Sequence, residues 1–158
     1  MTPAIRAARA AGVAVRVHEY AHDPGNRNFG LEAAEALGLD PQRVFKTLLV
    51  ALNGDPRRLA VAVVPVSGQL DLKAMAVACG AKKVELADPA VAERATGYVV
   101  GGISPLGQKR RLPTVVDASA DRYETVFVSG GRRGLDIELG PAELCRLCAA
   151  TLAPVGRD

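Results

Sequence analysis

A chain of 158 residues, 49% of them hydrophobic and 23% charged, has the size and balance of one globular domain spanning residues 1–158. A net charge of +3 from 20 basic and 17 acidic residues is far below that of a protein that coats nucleic acid, and 4% aromatic content without Trp disfavours a stacking platform for single strands. No apolar run approaches the roughly 20 residues of a membrane span, the start Met1-Thr2-Pro3-Ala4-Ile5-Arg6 lacks the basic-then-apolar order of a secretory signal, and 3 cysteines argue against a secreted disulfide framework, so a cytoplasmic protein with free thiols and no membrane partner is expected.

Thr2 and Pro3 read as the N-cap and first position of a short helix that Gly12 stops. Val13, Val15 and Val17 then alternate with polar or small residues, which predicts a half-buried strand. Ala21 to Asn28 is rich in turn formers and predicts an irregular loop ahead of a helix over Leu31–Leu37, closed by Gly38. After the cap-and-start pair Asp40-Pro41, Val44 to Leu52 predicts a strongly apolar strand, with Leu59 to Val64 as its hairpin partner across the Asn53-Gly54-Asp55 turn. Asp71 caps a helix to Cys79, Lys83 to Leu86 is a short strand, and Asp88-Pro89 opens a helix through Ala95. Short β segments follow at Tyr98–Val100, Thr114–Val116, Thr125–Val128 and, beyond the Gly130–Gly134 turn, Leu135–Leu139. Pro141 begins a last helix to about Leu152. Hairpin connections mixed with inserted helices predict an α/β domain with one mixed, largely antiparallel sheet flanked by helices.

Lys46 is the most informative single residue. It lies within a strand whose two faces are both apolar, sharing one face with Val44, Leu48, Val50 and Leu52. Such a lysine either snorkels its ammonium out at the strand end or holds it in a cleft against a polar ligand. The loop Gly101-Gly102-Ile103-Ser104-Pro105-Leu106-Gly107 permits close backbone approach, and its N–H groups suit an ester carbonyl and the oxyanion developing on it. A plain turn accounts for the same glycines. Lys109-Arg110-Arg111 and Arg132-Arg133 concentrate positive charge as a phosphate-contacting surface or a solvated loop face would.

Other chemistries find little support. Cys145 and Cys148 have CxxC spacing inside a helical pattern, with no second pair, so a structural zinc site is not expected. His18 and His22 lack a serine or cysteine partner motif, no carboxylate pair or His-x-Glu motif suggests a metallohydrolase, and neither a Gly-x-Gly-x-x-Gly run nor a Walker loop indicates a nucleotide cofactor. No cofactor and no metal are expected.

Several segments together carry a resemblance. They are Met1-Thr2-Pro3-Ala4-Ile5, His22-Asp23-Pro24, Phe29-Gly30 with Glu32-Ala33-Ala34-Glu35, Phe45-Lys46-Thr47-Leu48-Leu49-Val50, Lys82-Lys83-Val84-Glu85, Thr96-Gly97-Tyr98, Gly101 to Lys109, and Val128-Ser129-Gly130-Gly131 with Arg133-Gly134-Leu135. In that order they closely resemble the YbaK/EbsC family, and within it the bacterial Cys-tRNA(Pro) deacylases, almost end to end. The resemblance implies a domain similar to the editing domain of bacterial prolyl-tRNA synthetases, here freestanding. It implies that Lys46 and Gly101 are catalytic, that Tyr20, Phe29, Thr47, Gly102, Ile103, Ser104, Pro105, Ser129 and Asp136 form the substrate pocket, and that Lys109, Arg110, Arg111, Arg132 and Arg133 contact tRNA. Asp136 is the member where the family's pattern varies. The implied substrate is Cys-tRNA(Pro), bound by the acceptor end of tRNA(Pro), with prolyl-tRNA synthetase as a further partner in a ternary complex. The implied chemistry is attack of the substrate's cysteine thiol on its own ester, releasing a thiolactone. Alternatives are an Ala- or Ser-tRNA deacylase using water or the ribose hydroxyl, a non-catalytic tRNA-binding module, and a small-molecule binder.

Overall fold

The computed structural model describes residues 1–158. Helix α1 (Pro3–Ala10) leads to β1 (Arg16–Glu19), α2 (Phe29–Leu37) and the long hairpin of β2 (Phe45–Leu52) and β3 (Asp55–Pro65). After it come β4 (Gln69–Leu70), α3 (Leu72–Cys79), β5 (Val84–Leu86), α4 (Pro89–Thr96) and β6 (Thr114–Asp117). A 3-10 turn over Ala118–Arg122 precedes β7 (Val126–Arg132), β8 (Leu135–Leu139), α5 (Pro141–Cys148), β9 (Thr151–Ala153) and β10 (Gly156–Arg157). The α/β class and the largely antiparallel pairing agree with the expectation. The expected single sheet is divided into three: a mixed one in the order β5-β2-β3-β6-β9, an antiparallel one in the order β1-β8-β7, and the pair β10-β4.

The caps follow from side-chain chemistry. The Thr2 hydroxyl accepts from Ile5 N, the Asp71 carboxylate from Ala74 N and the Asp88 carboxylate from Ala90 N, each satisfying a donor that the first helical turn leaves without a partner. Asp40 makes the same kind of contact, accepting from Gln42 N at 2.9 Å, but only a turn follows. Other boundaries differ from the expectation too: β3 already begins at Asp55 instead of Leu59, and β7 runs on to Arg132 instead of ending at Val128. Val13 is buried and its N–H closes α1 on Ala8 O, so β1 starts only at Arg16. Helix α2 starts two residues early, at Phe29. Tyr98–Val100 is not a strand, because the N–H groups of Tyr98 and Val100 go to the side chains of Thr96 and Glu93 instead of a neighbouring strand. Helix α5 ends at Cys148 with Ala149 left-handed (φ 51°), which frees Thr151–Ala153 to pair in parallel with β6.

Two apolar clusters lie on opposite faces of the five-stranded sheet. Phe45, Leu49, Ala51, Val61 and Val63 join the larger, which continues through Val128, Leu135, Ile137 and Leu139 of the three-stranded sheet. Val50, Leu52, Ala62 and Val64 join the smaller with Met75, Leu70 and Val155. The alternation along β2 therefore does what a strand buried on both faces requires. The other face of the three-stranded sheet carries Phe127, which packs with Val44, Val66 and α2 residues Ala33 and Ala34 in a third, small cluster. No helix is long and apolar enough to cross a membrane.

Candidate active site

Strand β5 pairs with β2 only at Val50, Ala51 and Leu52, and Ala87 N closes that edge on Leu49 O at 2.9 Å. Beyond this point no strand pairs with β2 on that side until Val44, just before it, bridges to Phe127 of β7. The opening is a cleft of about 400 Å³ between β2, α2, the three-stranded sheet and the glycine loop. Its lining includes Tyr20, Arg27, Phe29, Lys46, Thr47, Leu49, Val100, Gly101, Ile103, Ser129 and Asp136. Eight residues implied by the resemblance thus share one cavity, although they come from six separate parts of the chain. The lining is mostly apolar, which strengthens every polar contact made inside it.

The Lys46 ammonium neither snorkels free nor meets a carboxylate. It donates to Gly68 O at 2.9 Å, and desolvation lowers its pKa from the ordinary lysine value. Beside it, the Thr47 hydroxyl is buried without any hydrogen-bond partner. Such a group costs stability when left unmade, so its place in a ligand cleft is informative. Asp136 is 5% exposed, and burial pushes its carboxyl up to about 7. Tyr20 is pushed up to about 12 by burial and by the Asp136 charge. Ser129 stands opposite Asp136 across β7 and β8, where a bulge between Ser129 and Arg132 turns β7 away, and its hydroxyl accepts from Gly131 N at 3.1 Å.

The glycine loop is braced from both sides of one residue. Glu93 of α4 accepts from Val100 N at 2.8 Å, while the Arg133 guanidinium donates twice to Val100 O, at 2.9 and 2.7 Å. The same guanidinium stacks 4.7 Å from the Phe29 ring centroid. Phe29 in turn lies on Gly101, which has φ +89°; a Cβ there would stand 2.7 Å from the ring. Arg133 therefore ties the wall bearing Phe29 to the wall bearing Gly101. The Gly101 N–H donates to no atom of the chain, whereas the Gly102 N–H is spent on Val99 O at 2.9 Å.

Several implied residues lie elsewhere. Gly102, Ser104 and Pro105 are buried and do not line the cleft. Ser104 Oγ accepts from Leu106 N and the Pro105 carbonyl accepts from the Cys148 thiol, so both support the loop from behind. In this structure they brace the loop and do not line the cleft. Arg133 differs from the other basic residues, because Nε and Nη2 of its guanidinium are engaged with Val100 O and its plane lies over Phe29. Lys109, Arg110, Arg111 and Arg132 are exposed, Arg132 lying 3.5 Å from Glu19. Sequence reasoning missed Arg27 and Glu93. Nothing local marks Glu93, and the Arg27 signal, a basic residue in a turn-rich loop, is common to many surfaces. His22 faces Glu32 at 2.6 Å, outside the cleft lining, and that carboxylate also accepts from Asp23 N, fixing the loop that carries Arg27.

The model of the aminoacyl-tRNA editing domain family matches residues 30–147. EbsC of Enterococcus faecalis, named as a candidate Cys-tRNA(Pro)/Cys-tRNA(Cys) deacylase, is 41% identical over 122 residues, 77% of this chain and 73% of EbsC. YwhH of Bacillus subtilis is 34% identical over 113 residues, 72% of this chain and 70% of YwhH. Among solved structures, a hypothetical protein with 27% identity superposes with a TM-score of 0.85, covering 98% of this chain and 99% of that one. A candidate trans-editing enzyme for prolyl-tRNA synthetase superposes with a TM-score of 0.83 at 24% identity, over 100% of this chain and 99% of the other, a likeness of fold.

Proposed function

The chain belongs to the aminoacyl-tRNA editing domain family and is an aminoacyl-tRNA deacylase; from that premise we propose that it clears Cys-tRNA(Pro) in trans, with the substrate's own thiol as nucleophile. The observation that carries this reading is the make-up of the cleft. It holds a lysine, a carboxyl and a hydroxyl without a partner, yet no cysteine, no histidine and no serine paired to a base. A chain that supplies no attacking group leaves the attack to water, to the ribose hydroxyl or to a group the substrate brings, and the cysteine thiol is the strongest nucleophile of these near neutral pH.

The terminal ribose carries the cysteinyl ester into the cleft. The thiolate sulfur attacks the ester carbonyl carbon, forming a C–S bond and an oxyanion that faces the Gly101 N–H. Collapse breaks the bond to the ribose oxygen, which takes up the proton that left the thiol, so tRNA(Pro) departs with a free hydroxyl and the cysteine leaves as a thiolactone. Lys46, charged and tied only to a carbonyl, favours the negative charge of the terminal phosphate and of the oxyanion. Asp136, ionised when a cation approaches, would accept from the α-ammonium group, and the Thr47 hydroxyl would gain its missing partner. Proline, which has no thiol, would bind without reacting. The acceptor stem would lie along Lys109, Arg110, Arg111 and Arg132, and prolyl-tRNA synthetase would be a partner in a ternary complex, consistent with a cytoplasmic protein acting on newly charged tRNA.

A single-turnover deacylation assay with Cys-, Ala- and Ser-tRNA(Pro) tests the proposal. Rapid loss of the cysteinyl ester alone, with thiolactone trapped before free cysteine, is the expected outcome. Equal turnover of Ala-tRNA(Pro) would sink the substrate-thiol mechanism, because alanine offers no nucleophile.

A further inference from the structure

The acceptor that holds the Lys46 ammonium belongs to a part of the chain outside the cleft. We infer that the segment Val155–Arg157, fastened by Asp117, sets the position of the Lys46 ammonium through Gly68, which makes Asp117 and Gly68 positioning residues for the deacylation proposed above; the inference rests on that reading.

The path is short and each link is a close contact. Lys46 Nζ makes one hydrogen bond, to Gly68 O at 2.9 Å. Gly68 directly precedes β4, whose two residues pair with β10 as Gln69↔Arg157 and Leu70↔Gly156. A Cβ on Gly68 would stand 2.3 Å from the Arg157 carbonyl oxygen, so the two backbones touch and Gly68 cannot shift independently of that segment. Arg157 Nη2 adds a bond to Gln69 Oε1 at 3.0 Å, and Asp71 N donates to Val155 O at 2.7 Å.

Asp117, at the end of β6, holds this segment from the other side. It is 7% exposed, and one oxygen accepts from Val155 N at 3.0 Å and Gly156 N at 2.8 Å while the other accepts from Ser119 N and the Ser119 hydroxyl. Burial alone would raise its pKa, but the bonds from Ser119, Gly156 and Val155 prevail and hold the carboxyl below its usual value. Four donors on one carboxylate make a rigid anchor.

The choice of acceptor has a consequence for chemistry. A carboxylate beside Lys46 would neutralise it and raise its pKa, whereas a neutral carbonyl fixes direction and leaves the full positive charge for the substrate. Desolvation is what acts on the Lys46 pKa, with no charged neighbour involved. The segment therefore orients the charge without cancelling it. A displacement of Gly68 by about 1 Å would misplace the ammonium by a similar amount, which for a positioned group costs on the order of 100-fold in rate.

The test follows Lys46 directly, by the pH titration of its side-chain ε-methylene NMR signal in the full chain, assigned by its disappearance in Lys46→Ala. Gly68→Ala, which collides with Arg157, and the isosteric Asp117→Asn, which weakens the anchor without adding bulk, are compared with the parent chain. In both variants the titration midpoint should move up toward that of an ordinary exposed lysine, and single-turnover deacylation of Cys-tRNA(Pro) should fall roughly tenfold or more with tRNA affinity little changed. In a Lys46→Ala background the same changes should add almost nothing to the loss, whereas general destabilisation would cost the same factor in both backgrounds. If the parent chain deacylates no aminoacyl-tRNA, the functional reading fails while the titration still decides the positioning. A variant that stays folded and keeps the parent's Lys46 titration would overturn the inference.

Discussion

Two acidic residues on the same face of β8 have opposite fates. Glu138 accepts from His18 Nε2 at 3.0 Å and from the Thr125 hydroxyl at 2.6 Å, with Arg43 Nη2 4.0 Å away. Burial works to raise its pKa, but the bonds from Thr125 and His18 and the nearby positive charge hold it below the usual value. Arg43 is itself engaged with Thr125 and stacked over Phe127 at 5.2 Å, so the whole group is closed on itself. Asp136, two residues earlier, makes no side-chain hydrogen bond and is pushed up to about 7 by burial. Polarity and burial are thus shared by both ends of the strand, and only one end leaves its polar groups unsatisfied. A satisfied carboxylate is a structural strut, and an unsatisfied one facing a cleft is a candidate ligand-binding group.

Breaking each end separately should separate activity from stability. The largest effect is expected at the open end, where Lys46→Ala should lower single-turnover deacylation by roughly 100-fold or more without a matching drop in melting temperature. Lys46→Arg should also be impaired, since a planar fork does not replace a compact ammonium. A rate near the parent's for Lys46→Ala would remove the centre from this cleft.

Arg133→Ala should come next, with a loss of roughly tenfold in rate, because the brace between Phe29 and Val100 is lost and both walls of the cleft loosen. Arg132→Ala, one residue away but exposed, should change the rate little at saturating tRNA. Equal effects of the two substitutions would make Arg133 a tRNA contact after all.

The two threonines give a smaller and sharper contrast. Thr125→Val removes a hydroxyl that both donates and accepts, and should cost about 1–2 kcal/mol in urea-unfolding free energy while leaving deacylation intact. Thr47→Val removes a hydroxyl with no partner, and should leave stability unchanged or slightly higher while weakening substrate binding.

The pH dependence of stability separates the two carboxyls in sign. Asp136 has a folded pKa of about 7, above the ordinary 3.8, so between those values the folded chain binds more protons than the unfolded one and stability falls as pH rises. Asp136→Asn should remove that slope. Glu138, held low, contributes stability above its unfolded pKa that is lost as pH falls through the folded value, and Glu138→Gln should flatten the acid side instead. Thermal melts from about pH 2 to 8 measure both. The smallest effect per residue is electrostatic: Lys109, Arg110 and Arg111 replaced by Ala should lower the log-log salt slope of tRNA binding by roughly 0.7 to 0.9 for each phosphate that is no longer neutralised.

Much of the framework was legible because it is local. Thr2, Asp71 and Asp88 announce helix starts, and the apolar run ending at Asn53-Gly54 announces the central hairpin, since caps and turns depend on neighbours within a few residues. Local signals failed where distant groups competed. Tyr98–Val100 has strand-like composition, but Glu93 and Arg133 take the backbone of Val100. Thr151–Ala153 follows on from a helical pattern, but the edge of β6 offers it a parallel partner. Arg133 read as free charge because stacking on Phe29 joins residues far apart in the chain.

By itself the sequence determined the α/β class, the lysine inside an apolar strand, the glycine loop and the family whose order of segments this chain shares. Tertiary structure alone decided that β5 stops short along β2 and opens a cleft, that the Thr47 hydroxyl is buried there without a partner and the Asp136 carboxyl is desolvated, and that Gly68 holds the ammonium of Lys46. The division has one physical cause. Propensity, capping and alternation act over a few residues, whereas desolvation and hydrogen-bond satisfaction depend on which distant atoms arrive, and in this fold those atoms come from strands separated by most of the chain.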